Sequence, residues 1–409
     1  MIVDILLTAI VGIIIIAWLI LSVVNKRYLL TVAIGLLLFG VFAILSVSIF
    51  ESFQLTLRVS DEPSNYFYFL RQIKHILVSL ISWALILLIP LDKVRNNAGK
   101  IFLLVFIFQL LIFTSLGQVF NGARWWLYLP GLGSVQPSEF FKLWFVIFLA
   151  AWLIRKKKEL NSLELFFAII ILSAISFFIF LLIPDLGTLL VVWPVVLILY
   201  WYAGWKLIYI MASIVLGLTL WLTVGMQFDY IKQRVEYFVN PDIDESNQGI
   251  WWQTKQGLIA IWSGWFLWKW YGKWLQKFGF IPEAQSDFIF AAFSEEVWFV
   301  GNTVLLMLYF LLAYISLTRI ERVQDEYLRN LAVGIVALIS MQAFINIWVN
   351  IKIIPLTGLT LPFISYGWTA LMVNIWEIAL LYNILYSNYT PKKEKSRSFV
   401  YTSLRSELP

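Results

Sequence analysis

Runs of about twenty apolar residues, separated by short polar breaks, set the organisation of this chain. A bilayer core needs about that length per helix. The pattern predicts eleven membrane spans, near residues 3–24, 29–50, 73–90, 100–116, 138–154, 164–183, 187–203, 207–226, 288–317, 329–350 and 361–386. The breaks alternate in character. Asn25-Lys-Arg27, Asp92 to Lys100, Arg155 to Lys158, Arg319 to Arg329 and Lys392 to Arg397 are basic and fall on one side. By the positive-inside rule that side is the cytoplasm. The opposite breaks, 51–67, 117–136, 227–285 and 352–360, are longer and hold the Pro- and Gly-containing sequence.

The first span follows Asp4, lacks a basic leader and lacks a small-residue cleavage site. It reads as an uncleaved anchor with its N-terminus outside. Residues 388–409 are polar and charged and read as a disordered cytoplasmic tail. No internal repeat, nucleotide-binding loop or soluble domain stands out.

Composition narrows the class. With 61% hydrophobic and 13% charged residues and a mean hydropathy of +0.84, the fold class is an all-α polytopic membrane protein. The absence of Cys and the single His, His75, remove thiol metal sites, disulfides and most His-based chemistry. A net charge of +6 suits basic cytoplasmic loops, and no nucleic-acid module accompanies it.

The outer breaks concentrate the candidate chemistry. Pro282-Glu-Ala-Gln-Ser-Asp287 leads into an apolar run carrying Glu295 and Glu296. A carboxylate at the mouth of a membrane helix is costly unless paired, hydrated or used, although Asp287 can also serve as a helix cap. Pro137 and Ser138 read as a helix start, with Glu139 and Lys142 placed three apart to form an ion pair or to touch substrate. Asp185, in Pro184-Asp-Leu-Gly187, reads first as a helix cap. The break 227–285 carries Lys232, Arg234, Gln253, Lys255, Lys269, Lys273 and Lys277. Its cations suit an anionic lipid headgroup or merely a solvated loop. Asn346 and Asn350 share a helix face and can bridge helices. The Pro355-to-Gly367 stretch has the look of backbone lining a cavity.

Gly122-Ala-Arg124, Gln136-Pro-Ser-Glu139 with Lys142, Pro184-Asp-Leu-Gly187, Gln285-Ser-Asp287-Phe-Ile-Phe290 with Glu295-Glu296, and Pro362-Phe-Ile-Ser365-Tyr-Gly367, in that order, resemble the SEDS family (shape, elongation, division and sporulation). The resemblance covers about residues 29–387. It implies a ten-helix core, so that residues 1–28 are an extra anchor, set in a bacterial cytoplasmic membrane. It further implies a peptidoglycan glycosyltransferase that polymerises lipid II, releases undecaprenyl pyrophosphate and works with a class B penicillin-binding protein and other elongation or division proteins. Asp287 takes the place of the family's essential carboxylate, and Glu139 with Lys142 that of its Glu–Lys pair. Arg124, Lys142, Gln253, Lys277 and Ser365 are then candidate substrate contacts, with Glu139, Asp185, Glu295, Glu296 and Asn350 in support. No cofactor is assigned, no metal ligand set is read, and a divalent cation stays open. A flippase or a non-catalytic scaffold are the competing functions, and nothing separates elongation from septal work.

One departure stands out. Trp is as frequent as Gly, 21 of each. The family pattern has glycine at Trp262, Trp265, Trp268, Trp270, Trp298, Trp348 and Trp368. Trp262 to Trp274 point all round a helical wheel, so no amphipathic face explains them. A gene that reads UGA as glycine, translated with UGA as Trp, accounts for the substitution; genuine divergence is the alternative.

Overall fold

The computed structural model describes residues 27–59, 62–120, 123–131, 133–159, 162–240, 250–263, 279 and 281–386, with scattered positions between 12 and 24. The expectations for the anchor, for residues 264–278, which include Lys277, and for the tail fall wholly or mostly outside these.

The helices are α1 (Tyr28–Val47), α2 (Ile49–Val59), α3 (Phe67–Leu87), α4 (Leu91–Leu110), α5 (Pro137–Arg155), α6 (Leu163–Leu182), α7 (Leu186–Tyr202), α8 (Leu207–Thr223), α9 (Asp229–Val239), α10 (Ile250–Ser263), α11 (Ile289–Ile320), α12 (Glu326–Asn350) and α13 (Trp368–Tyr386). Among the described residues nine are long and apolar enough to cross a membrane: α1, α3, α4, α5, α6, α8, α11, α12 and α13. The apolar α7, with 17 residues, is shorter. Together these ten match the expected core. Their starts follow local chemistry. Pro137 opens α5, where its missing N–H is no loss. Ser162, Asp185 and Asp325 cap α6, α7 and α12 by accepting from Leu165, Thr188 and Leu328 N–H groups.

Four segments differ from the sequence reading, the first being the break 51–67, which holds most of α2. The break 117–136, expected as a loop, forms an antiparallel sheet of β1 (Gly117–Phe120), β2 (Ala123–Leu129) and β3 (Gly133–Val135), in the order β1-β2-β3. The fold is therefore helical with one small three-stranded sheet among the described residues. Its aromatic run Trp125-Trp126-Leu-Tyr128 favours strand, and Leu127 is fully buried. The break 227–285 contains α9 and α10. The last helix begins at Trp368 rather than 361, because residues 361–367 turn sharply, with Phe363 at φ +67°. Gly40 on α1 lets that turn dock: a Cβ there would collide with the Phe363 carbonyl.

α12 is the central post and is buried along most of its length. It packs against α5, α7, α11 and α13, while α3 lies along α13, α4 along α5 and α1 along α11. α11, 32 residues and ~48 Å long at 1.5 Å per residue, exceeds a bilayer core, and its apolar crossing segment is Phe299–Ile320. Its first ten residues therefore sit in protein beyond the crossing segment. At the opposite end of the bundle, Arg95 pairs with Asp325 at 3.4 Å and Lys157 with Glu326 at 2.5 Å, so the basic breaks after α3 and α5 meet the start of α12.

Candidate active site

The site is hung on one face of α12. Gln342, Asn346 and Asn350, spaced four apart, form a buried amide stripe. Gln342 accepts from Lys142 Nζ at 2.7 Å and donates to the Thr360 carbonyl and hydroxyl at 3.1 and 3.2 Å. Asn346 Nδ2 donates to the Leu359 carbonyl at 2.6 Å and to that of Asp287 at 3.0 Å. Asn350 Nδ2 donates to the same Asp287 carbonyl at 3.1 Å, and its Oδ1 accepts from Ala291 N at 3.1 Å. Buried amides satisfied this fully are rigid supports. They fix the turn before α11 and the stretch 357–361 against each other.

Ser365 completes that frame. Its hydroxyl donates to the Ser286 carbonyl at 2.6 Å and accepts from Leu361 N at 2.7 Å, while Tyr366 N donates to the Gln285 carbonyl at 2.8 Å. The motifs around Asp287 and Ser365 are thus two sides of one assembly.

Between this frame and the sheet lies a cavity of about 530 Å³, lined by Asp287, Glu283, Ser286, Arg71, His75, Tyr68, Trp125, Trp126, Ser134, Gly358, Thr360, Tyr366 and Trp368 among others. Gly358, at φ +73°, adopts the left-handed backbone that favours glycine, beside Asp287 and Trp125. Burial, and next the negative charge of Glu283, push the Asp287 carboxyl up to about 7; Arg234 and a Ser286 hydrogen bond oppose this. A carboxylate in that range is matched to accept a proton at neutral pH. Glu51, on α2, is pushed up to about 7 by burial and the same Glu283.

The other sequence candidates take different places. Glu139 and Lys142 form a buried pair at 2.9 Å, and Lys142 reaches the cavity wall only through Gln342 and Thr360. Asp185 caps α7, accepting from Thr188 N at 2.9 Å and its hydroxyl at 2.8 Å. Glu295 is buried one to two turns deeper on α11, where it accepts from Ser263 at 3.5 Å, and Glu296 is half-buried beside it. Neither lines the cavity with Asp287. Gln253 sits half-buried on α10, and Arg124 is exposed on β2, both outside the cavity lining. Among the described residues no group of three or more His, Asp or Glu side chains is placed to hold a metal.

Sequence reasoning passed over Arg71 and Glu283, which line the cavity, and gave the single His75, which also lines it, no role. It missed Gln342, the lowest rung of the stripe, whose four-residue spacing from Asn346 was the available signal. It missed Glu377 on α13, a buried carboxylate that interacts electrostatically with both Lys142 and Glu139.

The Cell cycle protein family model, FtsW/RodA/SpoVE, matches residues 26–390. The chain belongs to this family. It is the SEDS family that the motifs resemble. Stage V sporulation protein E of Bacillus subtilis (strain 168) is 34% identical over 288 residues, covering 69% of this chain and 77% of that protein. The probable peptidoglycan glycosyltransferase FtsW of Geobacter metallireducens is 32% identical over 366 residues, covering 88% and 95%. In solved structures, a chain of a peptidoglycan synthase complex that coordinates polymerization and crosslinking shares the fold at TM-score 0.65 and 24% identity, covering 85% of this chain and 96% of that one. The rod shape determining protein RodA of Thermus thermophilus does so at TM-score 0.59 and 20% identity, covering 88% and 97%. The SEDS core here is thus a polytopic helical membrane fold.

Proposed function

We propose that this SEDS protein is a peptidoglycan glycosyltransferase that polymerises lipid II, with Asp287 as general base. The observation that carries the reading is the Asp287 carboxyl, held near 7 in a cavity at the bundle end opposite the basic breaks. The naming of the FtsW relatives as probable peptidoglycan glycosyltransferases supports the reaction class. A sugar hydroxyl of the acceptor loses its proton to Asp287 as its oxygen attacks the anomeric carbon of the donor. The bond from that carbon to the pyrophosphate oxygen breaks, and undecaprenyl pyrophosphate leaves. One base and no covalent intermediate gives inversion, from an α-linked donor to a β-linked glycan. Arg71 in the cavity and Arg234 beside it supply positive charge for the departing pyrophosphate. These two supersede Arg124 as first choices, since Arg71 lines the cavity and Arg234 interacts electrostatically with Asp287, whereas Arg124 is exposed on β2.

The basic breaks at the opposite end support a cavity end that faces outside the cytoplasm. The likeness to a synthase complex supports a transpeptidase of the class B penicillin-binding type as partner. The test is glycan polymerisation from lipid II by the purified protein, with and without that partner. Polymer from the parent and none from Asp287→Asn is expected; no polymer from the parent in either setting rejects the reading. For orientation, Glu62→Cys should label with an impermeant thiol reagent in intact cells and Lys157→Cys should not; labelling of Lys157→Cys refutes it.

A further inference from the structure

The turn ahead of α11 carries a second carboxylate, Glu283, shortly before Asp287 in the chain. Glu283 sits at φ +53°, in the left-handed region that a residue with a Cβ rarely adopts. Such a conformation persists only where the surroundings impose it. Contacts from two sides do so. Ser286 N donates to the Glu283 carbonyl at 3.0 Å, and the Ser286 hydroxyl donates to that carbonyl at 3.3 Å and to Glu283 Oε2 at 3.2 Å. From α2, the Glu51 carboxyl hydrogen-bonds with the Ala284 backbone and the Gln285 side chain. The turn is thereby clamped, with the Glu283 carboxylate folded back onto Ser286.

Ser286 stands between the two carboxyls, because it also hydrogen-bonds with Asp287. A serine hydroxyl has one hydrogen to give and two lone pairs to receive. When Asp287 is protonated, its O–H therefore donates to Ser286 Oγ, and the Ser286 hydrogen turns to Glu283 Oε2. This is a directed chain of two hydrogen bonds. Both carboxyls line the cavity of about 530 Å³, but Asp287 is half-buried and Glu283 is exposed, so the chain runs from the cavity wall to its mouth. The base needs such an exit. Each glycosidic bond leaves one proton on Asp287, and the next turnover requires the ionised form. Substrate in the cavity expels the water that would otherwise take that proton.

We propose that Ser286 and Glu283 form the proton outlet of Asp287. The Asp287 O–H bond breaks as its proton passes to Ser286 Oγ, and the Ser286 O–H bond breaks as its own proton passes to Glu283 Oε2. Glu283 then gives that proton to outer water. Asp287 ends ionised, Ser286 ends with one hydrogen, and no further reactant is consumed. Both residues act through Asp287 rather than on the substrate. Glu51 on α2, Tyr68 on α3 and Asp287 itself interact electrostatically with Glu283, and Arg71 on α3 lines the same cavity. The inference rests on Asp287 being the base of the glycosyltransferase reading.

The experiment follows lipid II polymerisation by the purified full-length protein at pH 8, in the setting, with or without a transpeptidase, in which the parent is active. Proton release comes after the irreversible sugar transfer. Glu283→Gln and Ser286→Ala should therefore each lower kcat about tenfold or more and leave kcat/KM within about twofold. Imidazole, a diffusible proton acceptor, should restore kcat in a saturable way, and sodium chloride at equal ionic strength should not. Ser286→Thr keeps the hydroxyl and should recover most of the loss. Glu283 is exposed, so its variant covers a folding failure of Ser286→Ala, and melting curves check both. Parent-like kcat in Glu283→Gln overturns the inference and means that the proton leaves with the pyrophosphate or directly to water. So does a loss shared equally by kcat and kcat/KM that imidazole leaves in place, which makes the turn a structural support alone. Either result leaves the glycosyltransferase reading standing, because the parent still polymerises. No polymer from the parent in either setting removes that reading and the outlet with it.

Discussion

Asn350 bridges Asp287 and the start of α11: its Nδ2 donates to the Asp287 carbonyl at 3.1 Å and its Oδ1 accepts from Ala291 N at 3.1 Å. One side chain on the central post thereby sets both the height and the rotation of the residue proposed as base. Its own burial is complete, so no water replaces these bonds if it is removed.

Asn350→Ala should therefore lower thermal stability and turnover together. Leaving a buried carbonyl and N–H without partners costs about 1–3 kcal/mol. Asn350→Asp keeps the acceptor for Ala291 N and loses the amide donor that serves both the Asp287 and the Asn346 carbonyls, so it should recover part of the stability but not the rate. Melting temperature and initial rate on the same preparations check this. Equal losses in both variants on both scales would reduce Asn350 to a packing residue.

The Glu139–Lys142 pair is buried from both sides, 3% and 1% exposed. Removing one partner of such a pair typically costs 3–5 kcal/mol, while removing both costs much less. Lys142→Met should destabilise strongly, and Glu139→Gln with Lys142→Met should recover most of the loss. Glu377 sharpens the outcome, because it leaves a second carboxylate facing the same ammonium. Adding Glu377→Gln to the double variant should recover more. A Lys142→Met protein that melts like the parent but loses lipid II binding would instead make Lys142 a substrate contact.

The membrane frame was legible because a bilayer demands ~20 apolar residues per helix, a pattern local enough to read. The site was legible only where its parts are close in sequence. Asp287 stands at a helix mouth, and Asn346 and Asn350 show their shared face by spacing. Gln342 reaches Lys142 across 200 positions and Trp368 reaches Ser134 across 234, distances at which nothing in the chain announces a contact. Arg71 follows an apolar context that reads as an ordinary interfacial cation, and only α3 packing on α13 brings it to Tyr366. The small sheet escaped notice because Trp-Trp-Leu-Tyr gives no clean polar alternation.

Trp368 offers a test of the glycine question. It lines the Asp287 cavity, and its indole N–H donates to the Ser134 carbonyl at 2.6 Å. Glycine there would enlarge the cavity and remove that strap. Trp262 and Trp348, 66% and 44% exposed, bear no such consequence, since neither lines that cavity. Trp265, Trp268 and Trp270 lie outside the described residues. We propose that UGA codons stand at these positions and that the natural protein carries glycine. Trp368→Gly should then raise polymerisation of lipid II despite a lower melting temperature. UGG at all seven positions would sink the idea, and a Trp368→Gly protein slower than its parent would argue that the indole is native to the site.

The pH dependence of turnover follows from the surroundings of Asp287. Burial, then Glu283, raise its carboxyl to about 7, while Arg234 and Ser286 pull it down. A general base works ionised, so kcat/KM should rise tenfold per unit below pH 7 and level off above it. Glu283→Gln removes a like charge and should move the bend to lower pH; Arg234→Gln should move it higher. Stability runs the other way. The folded state holds the Asp287 proton up to about 7, whereas the ordinary value is 3.8, so the protonated form's contribution is full below about 4 and lost as pH rises through 7. Asp287→Asn, neutral at every pH, should thus melt higher than the parent at pH 8 and close to it at low pH. It should also lose about 10²–10⁴ in rate. Glu295, buried on α11, is the rival; Asp287 lies in the turn before that helix, so no helical face is shared by spacing. Polymerisation at the parent rate by Asp287→Asn, with a dead Glu295→Gln, would transfer the role to Glu295; normal rates in both would end the enzyme reading in favour of a flippase.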